Sequence, residues 1–108
     1  MNALAKKWVE ALRSGKYEQG KNKLRSNDGK QFCCLGVLCQ LAAPRKWVNC
    51  GGAYFHESGQ SIAPLKVWSK VVGNSNLKQT RLSALNDSGA SFSEIADEIE
   101  RVLGGRRI

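Results

Sequence analysis

Cys34-Leu35-Gly36-Val37-Leu38-Cys39-Gln40-Leu41-Ala42-Ala43 is the stretch on which the fold turns. It is apolar on nearly every side and is stopped by Pro44. It falls well short of the roughly 18 apolar residues that a membrane helix needs. A helix that is hydrophobic all round must be covered all round, so the segment reads as a central buried helix. Gly36 costs that helix roughly 1 kcal/mol relative to alanine, which implies that another element packs closely there.

The flanking sequence supplies the cover. Leu4, Trp8 and Leu12 recur every fourth residue among Lys6, Lys7, Glu10 and Arg13, which predicts an amphipathic helix over 3–14 ending at Gly15. Pro64 opens another helix, with Leu65, Trp68 and Val72 inward, Lys66 and Lys70 outward, and Gly73 past its end. Leu82 and Leu85 mark a short helix over 78–86. Ser91-Phe92-Ser93-Glu94 has the form of a capping box and starts a last helix, whose buried stripe is Ile95, Ile99, Val102 and Leu103.

Two hairpins complete the expected structure. Lys23-Leu24-Arg25 and Gln31-Phe32-Cys33 flank the turn Asn27-Asp28-Gly29, with Gly29 in the left-handed position. In that register Leu24 faces Phe32, and Lys23, Arg25 and Gln31 share a wet face that is a candidate contact surface. Ala53-Tyr54-Phe55-His56 is read as pairing with Ser61-Ile62 through a turn over 57–60. The expected class is α+β: a helix-rich single domain over 1–104, in which N- and C-terminal helices pack a central apolar helix beside one or two short β-hairpins. Residues 105–108 are expected to form a flexible tail.

With no membrane-length apolar run and no basic-then-apolar N-terminal order, the expected location is the cytoplasm of the host cell, with no membrane partner. Under those conditions the four cysteines, Cys33, Cys34, Cys39 and Cys50, stay reduced. Their spacing lacks paired zinc knuckles and the only histidine is His56, so no metal and no cofactor is expected. The best nucleophile by position is Cys33, because a helix N-terminus beside it would lower its pKa and His56 could serve as its base. The carboxylates read as a solvated face over Asp97, Glu98 and Glu100 and as turn chemistry at Asp87, and neither phosphate-binding glycine motif is present. No catalytic residue is assigned, and a non-enzymatic role is expected.

Charge points elsewhere. The formal net charge is +8, and residues 1–50 carry ten Lys/Arg against three Asp/Glu. Such an asymmetry favours an anionic partner, a nucleotide or nucleic acid, or an acidic protein surface. The candidate ligand-binding residues are Lys6, Lys7, Arg13, Lys16, Tyr17, Lys21, Lys23, Arg25 and Lys30, in which the cations hold phosphate and Tyr17 offers a stacking ring. Trp8, at helical spacing, reads as core. A homodimer is compatible with so short a chain, because two copies form a deep pocket more readily than one.

Three stretches carry a family resemblance: Trp8-x-x-Ala11-Leu12-Arg13-Ser14-Gly15-x-Tyr17 with Leu24-Arg25, then Phe32-Cys33-Cys34-Leu35-Gly36-Val37-Leu38-Cys39, then Leu85-Asn86-Asp87-x-Gly89-x-Ser91-Phe92-x-Glu94-Ile95-Ala96. In these the chain resembles a largely uncharacterised family of small proteins from phages, prophages and plasmids. The resemblance transfers no catalytic residue. It implies an accessory protein of a mobile element, of the kind that antagonises host defence by covering a protein surface or sequestering a nucleotide signal.

Overall fold

Helix α2 (Cys34–Ala42) is enclosed, with Cys34 through Cys39 all buried. The computed structural model describes residues 1–73 and 75–104, so the expected tail 105–108 lies outside the described residues. The other α-helices are α1 (Ala3–Arg13), α3 (Leu65–Val72), α4 (Gln79–Asp87) and α5 (Phe92–Leu103). Helix α1 packs on α2, α3 and α5, and α4 packs on α2 and α5. Among the described residues these five helices accompany two sheets of two strands each, an α+β domain with one core.

Local chemistry fixes the helix ends. The Asn2 side chain accepts the Ala5 N–H to start α1, and Gly15 beyond its end has φ +78°. Ser91 and Glu94 exchange both bonds of the capping box at the start of α5. The Trp8 indole N–H donates to the Cys34 carbonyl at 2.9 Å, tying α1 to the first turn of α2.

Gly36 meets the close approach that its presence implies. The intruding element is the backbone of Leu24, whose carbonyl oxygen would lie 1.7 Å from a β-carbon built at Gly36.

Three sequence expectations change. The first hairpin is shifted by one residue: Arg25, not Leu24, bridges to Phe32, and the Cys33 N–H donates to the Leu24 carbonyl. Its loop is longer than read because side chains satisfy its backbone. The Ser26 hydroxyl accepts the Gln31 N–H and the Asp28 carboxylate accepts the Lys30 N–H. Gly29 is left-handed as expected, at φ +77°. Strand β2 (Gln31–Phe32) also pairs in parallel with β1 (Glu18–Gln19), a strand that no periodicity marked.

The second hairpin lies earlier than read. Strand β3 (Val48–Cys50) pairs antiparallel with β4 (Ala53–Phe55) around Gly51 and Gly52, both at positive φ, the combination that a two-residue primed turn demands. His56 and Gly59 do exchange backbone bonds across a turn, but the chain then leaves, and the Gln60 carbonyl accepts the Leu24 N–H. In α3 the inward face is Val67, Trp68 and Val71, while Leu65 is 79% exposed. Trp68 sets this rotation by packing edge-on against Trp8, with ring centroids 6.0 Å apart.

Candidate functional site

The candidate cations divide over three surface recesses instead of meeting in one. Lys6 and Arg13 border a recess of about 330 Å3 on one side of α1, together with Glu100. Lys7, Lys16 and Tyr17 border a second of about 260 Å3, across a ridge formed by Glu10 and Ser14 that lines both. Lys21 and Lys23 border the third and largest, about 460 Å3, with Asp28 and Gln31. Arg25 and Lys30 border none of the three.

Arg13 is not free for a ligand. Its guanidinium contacts Glu100 at 2.7 Å and also pairs with Asp97, and the hydrogen bond to Glu100 is the main cause of its raised pKa. Tyr17 is half-buried, and its ring stands edge-on to Phe32 at 5.5 Å. Only part of that ring faces solvent, which limits it as a stacking platform. Lys23 donates to the Asn27 side chain at 2.9 Å, while Lys6, Lys7, Lys16, Lys21 and Lys30 are exposed.

Arg25 belongs to a different environment from the wet face expected for it. The one-residue register shift puts it beside Phe32, and its guanidinium lies 5.2 Å from the Phe32 ring centre, 5.4 Å from that of Trp47 and 4.1 Å from that of Tyr54. Its Nε–H donates to the Gly29 carbonyl at 3.0 Å. Trp47 is held in turn by Gln40, which accepts its indole N–H at 2.8 Å, and by His56, whose ring packs edge-on at 4.8 Å. Sequence reasoning missed Trp47 and Tyr54 because they lie beyond the central helix, in a hairpin placed wrongly. The Gly51-Gly52 pair was the signal that could have found them.

The Leu85-Asn86-Asp87 motif proves architectural. Asn86 is fully buried; its Oδ1 accepts the Cys34 N–H at 3.2 Å and the Gln19 amide at 3.0 Å, while its Nδ2 donates to the Gly20 carbonyl at 2.7 Å. Asp87 accepts the Asn22 N–H at 2.9 Å, holding that residue at φ +68°. The end of α4 therefore caps α2 and fixes the strand–loop segment that carries Lys21 and Lys23.

The thiols are unsuited to nucleophilic work. Burial, opposed only in part by backbone N–H donors at the start of α2, pushes the Cys33 thiol up to about 11, reversing the expectation that the helix terminus would lower it. Burial likewise pushes Cys39 up to about 12 and Cys34 well above the ordinary thiol value. Cys50 alone is exposed. The His56 Nε2 lies 3.0 Å from the Ala43 carbonyl, and its Nδ1 is buried without a partner. Among the described residues no group of three or more His, Cys, Asp and Glu is placed to hold a metal ion, and no helix is long and apolar enough to cross a membrane.

Residues 1–103 match a domain of unknown function, DUF8296, and the chain belongs to that family. No curated protein and no solved structure matches the chain.

Proposed function

We propose that the protein binds an anionic ligand, a nucleotide or a nucleic-acid strand, without catalysing a reaction on it. In this reading it is an accessory protein of a phage or other mobile element that works in the host cytoplasm, antagonising defence by sequestration. The resemblance to mobile-element proteins supplies that context.

The observation that carries the reading is an unequal distribution of carboxylates. Those of α5 are consumed close to home: Asp97 and Glu100 pair with Arg13, and Glu98 pairs with Arg81 and Arg101. Among the described residues the charged side-chain nitrogens of Lys6, Lys7, Lys16, Lys21, Lys23, Arg25 and Lys30 have no carboxylate within 4.0 Å, and Asp28 reaches Lys30 only through its backbone N–H. Unneutralised cations raise the local concentration of anions and release counterions when they bind phosphate.

Calorimetry against mononucleotides, cyclic nucleotides and short RNA and DNA tests this. Binding that weakens steeply with added salt, together with a thermal shift that grows with ligand concentration, is the expected result. Indifference to every one of these anions would sink it.

A second reading, an interaction module docking on an acidic host protein, is favoured by exposed apolar residues: Val48, Ile62 and Leu65 all stand in solvent. A nuclease-resistant, protein-only complex captured from host lysate favours it over the first. A cysteine-dependent enzyme ranks third, and the upward-shifted Cys33 counts against it.

A further inference from the structure

The geometry points to the Arg25–Trp47–Tyr54 cluster as the binding centre for a phosphate joined to a nucleobase. This inference rests on the anion-binding reading and names where the ligand sits and what it is.

Arg25 is a cation held rigid with donors to spare. Stacking on Tyr54 at 4.1 Å and the bond from Nε to the Gly29 carbonyl fix the plane of its guanidinium. Among the described residues no acceptor takes its terminal Nη groups and no carboxylate lies within 4.0 Å. Neither Nη is fully buried without a partner, so each keeps some contact with solvent on a half-buried side chain. A planar fork with two unsatisfied donor groups matches the oxygens of a phosphate. Rings that already pack against the guanidinium cut the entropy lost on binding.

The same cluster offers the second half of the ligand its place. Trp47 and Tyr54 are half-exposed, unlike Trp8 and Trp68, which are in the core. Their rings stand edge to face, centroids 6.5 Å apart, so a base can stack on one while touching the edge of the other. Gly29 is favoured here by its φ of +77°, and any side chain there would crowd the cluster. A β-carbon there would stand 3.1 Å from the Tyr54 ring and 3.2 Å from an Arg25 Nη. A ligand with phosphate alone would leave the rings unused, and a base alone would leave the fork unpaired.

The test is a titration of the nitrogen-15-labelled protein followed by NMR, with ADP, a hexauridine strand and inorganic phosphate as separate probes. ADP or hexauridine should move the Arg25 Nε–H and the Trp47 indole N–H. The Trp8 indole N–H, buried and bonded to Cys34, should stay put as the internal control. Tighter binding of ADP than of hexauridine identifies a free nucleotide, and the reverse identifies a strand. Inorganic phosphate should bind at least tenfold more weakly than the better of the two.

Arg25→Lys keeps the charge and loses the fork; it should weaken binding at least tenfold with the Trp8 signal unchanged. Tyr54→Leu provides the same readout without touching a charge. Affinity that survives both variants but falls in Lys7→Gln/Lys16→Gln overturns this site while leaving the wider anion-binding reading intact. The absence of any shift with all three probes overturns this site, and the wider reading falls with it when calorimetry against cyclic nucleotides and DNA is silent as well.

Discussion

Gly36 of the central helix and Leu24 of the first hairpin approach so closely that the Leu24 carbonyl oxygen occupies the place of a Gly36 side chain, 1.7 Å from where its β-carbon would be. The obstruction is backbone, not the movable end of a side chain. The same carbonyl accepts the Cys33 N–H, and Leu24 is fully buried, so the hairpin cannot retreat without breaking the core. Gly36→Ala should therefore cost at or above the upper end of the about 1–3 kcal/mol usual for overpacking. In an exposed helix the same change would stabilise by about 1 kcal/mol. Urea denaturation decides between these opposite signs.

Asn86 poses the complementary case, in which a side chain is missed if removed. Truncation to alanine strands the Cys34 N–H and the Gly20 carbonyl, while Gln19 keeps its second partner, the Ala90 carbonyl at 2.8 Å. Each group left unpaired costs about 1–3 kcal/mol, so Asn86→Ala should lose about 2–6 kcal/mol. Asn86→Asp keeps the acceptor but buries a carboxylate and removes the donor to Gly20. Its loss should be greater at neutral pH than in mild acid, where protonation restores a donor. Thermal melts at both pH values measure this.

These two residues show which parts of the fold were legible in sequence. Gly36 announced a close approach because glycine inside a helix has a cost that something must offset, and its chain of apolar neighbours announced burial. Helix ends were legible for the same reason: Gly15, Gly73 and the Ser91–Glu94 box are local chemistry. The identity of the intruder at Gly36 was not legible, since Leu24 arrives through tertiary pairing. Nor was the role of Asn86, whose partners lie 52 and 66 residues away along the chain. The candidate cations were visible as a charge excess over 1–50, but their division into three recesses follows from the Glu10–Ser14 ridge of α1 and from the β1–β2 pairing, which no local pattern encodes. The register error at Arg25 came from placing a three-residue loop where Ser26 and Asp28 support a longer one.

Thiol accessibility separates a structural from a reactive cysteine set. At pH 8 Cys33 and Cys39 are protonated, because burial pushes them up to about 11 and about 12, and they are shielded as well. Iodoacetamide should modify Cys50 alone in the folded protein and all four thiols after unfolding in guanidinium. Rapid native labelling at Cys33, read by peptide mass spectrometry, would revive the cysteine-enzyme reading.

Acid should loosen the α4–α5 contact. The hydrogen bond from Arg101, supported by one from Arg81, outweighs burial and holds Glu98 below the ordinary glutamate range. A depressed folded-state value contributes stability that is complete above the unfolded value of about 4.3 and lost as pH falls through the folded one. Glu98→Gln should therefore lower the melting temperature at pH 7 and converge with the parent protein toward pH 3. An equal difference at both pH values would mean that packing, not charge, holds the carboxylate there.

Lys23 and Arg25, two positions apart in the chain, should respond unequally to the same substitution. Lys23 reaches only Asn27, at 2.9 Å, so Lys23→Gln should change stability by no more than about 0.5 kcal/mol. Arg25 is packed among Phe32, Trp47 and Tyr54 and holds the Gly29 carbonyl, so Arg25→Gln loses both the cation–π contacts and the packing of the guanidinium plane. A cost of about 1–2 kcal/mol follows, with Trp47 fluorescence shifting as its ring becomes more exposed. If both variants melt like the parent, the guanidinium is not held by the rings, and the preorganisation on which its proposed hold on phosphate depends is absent.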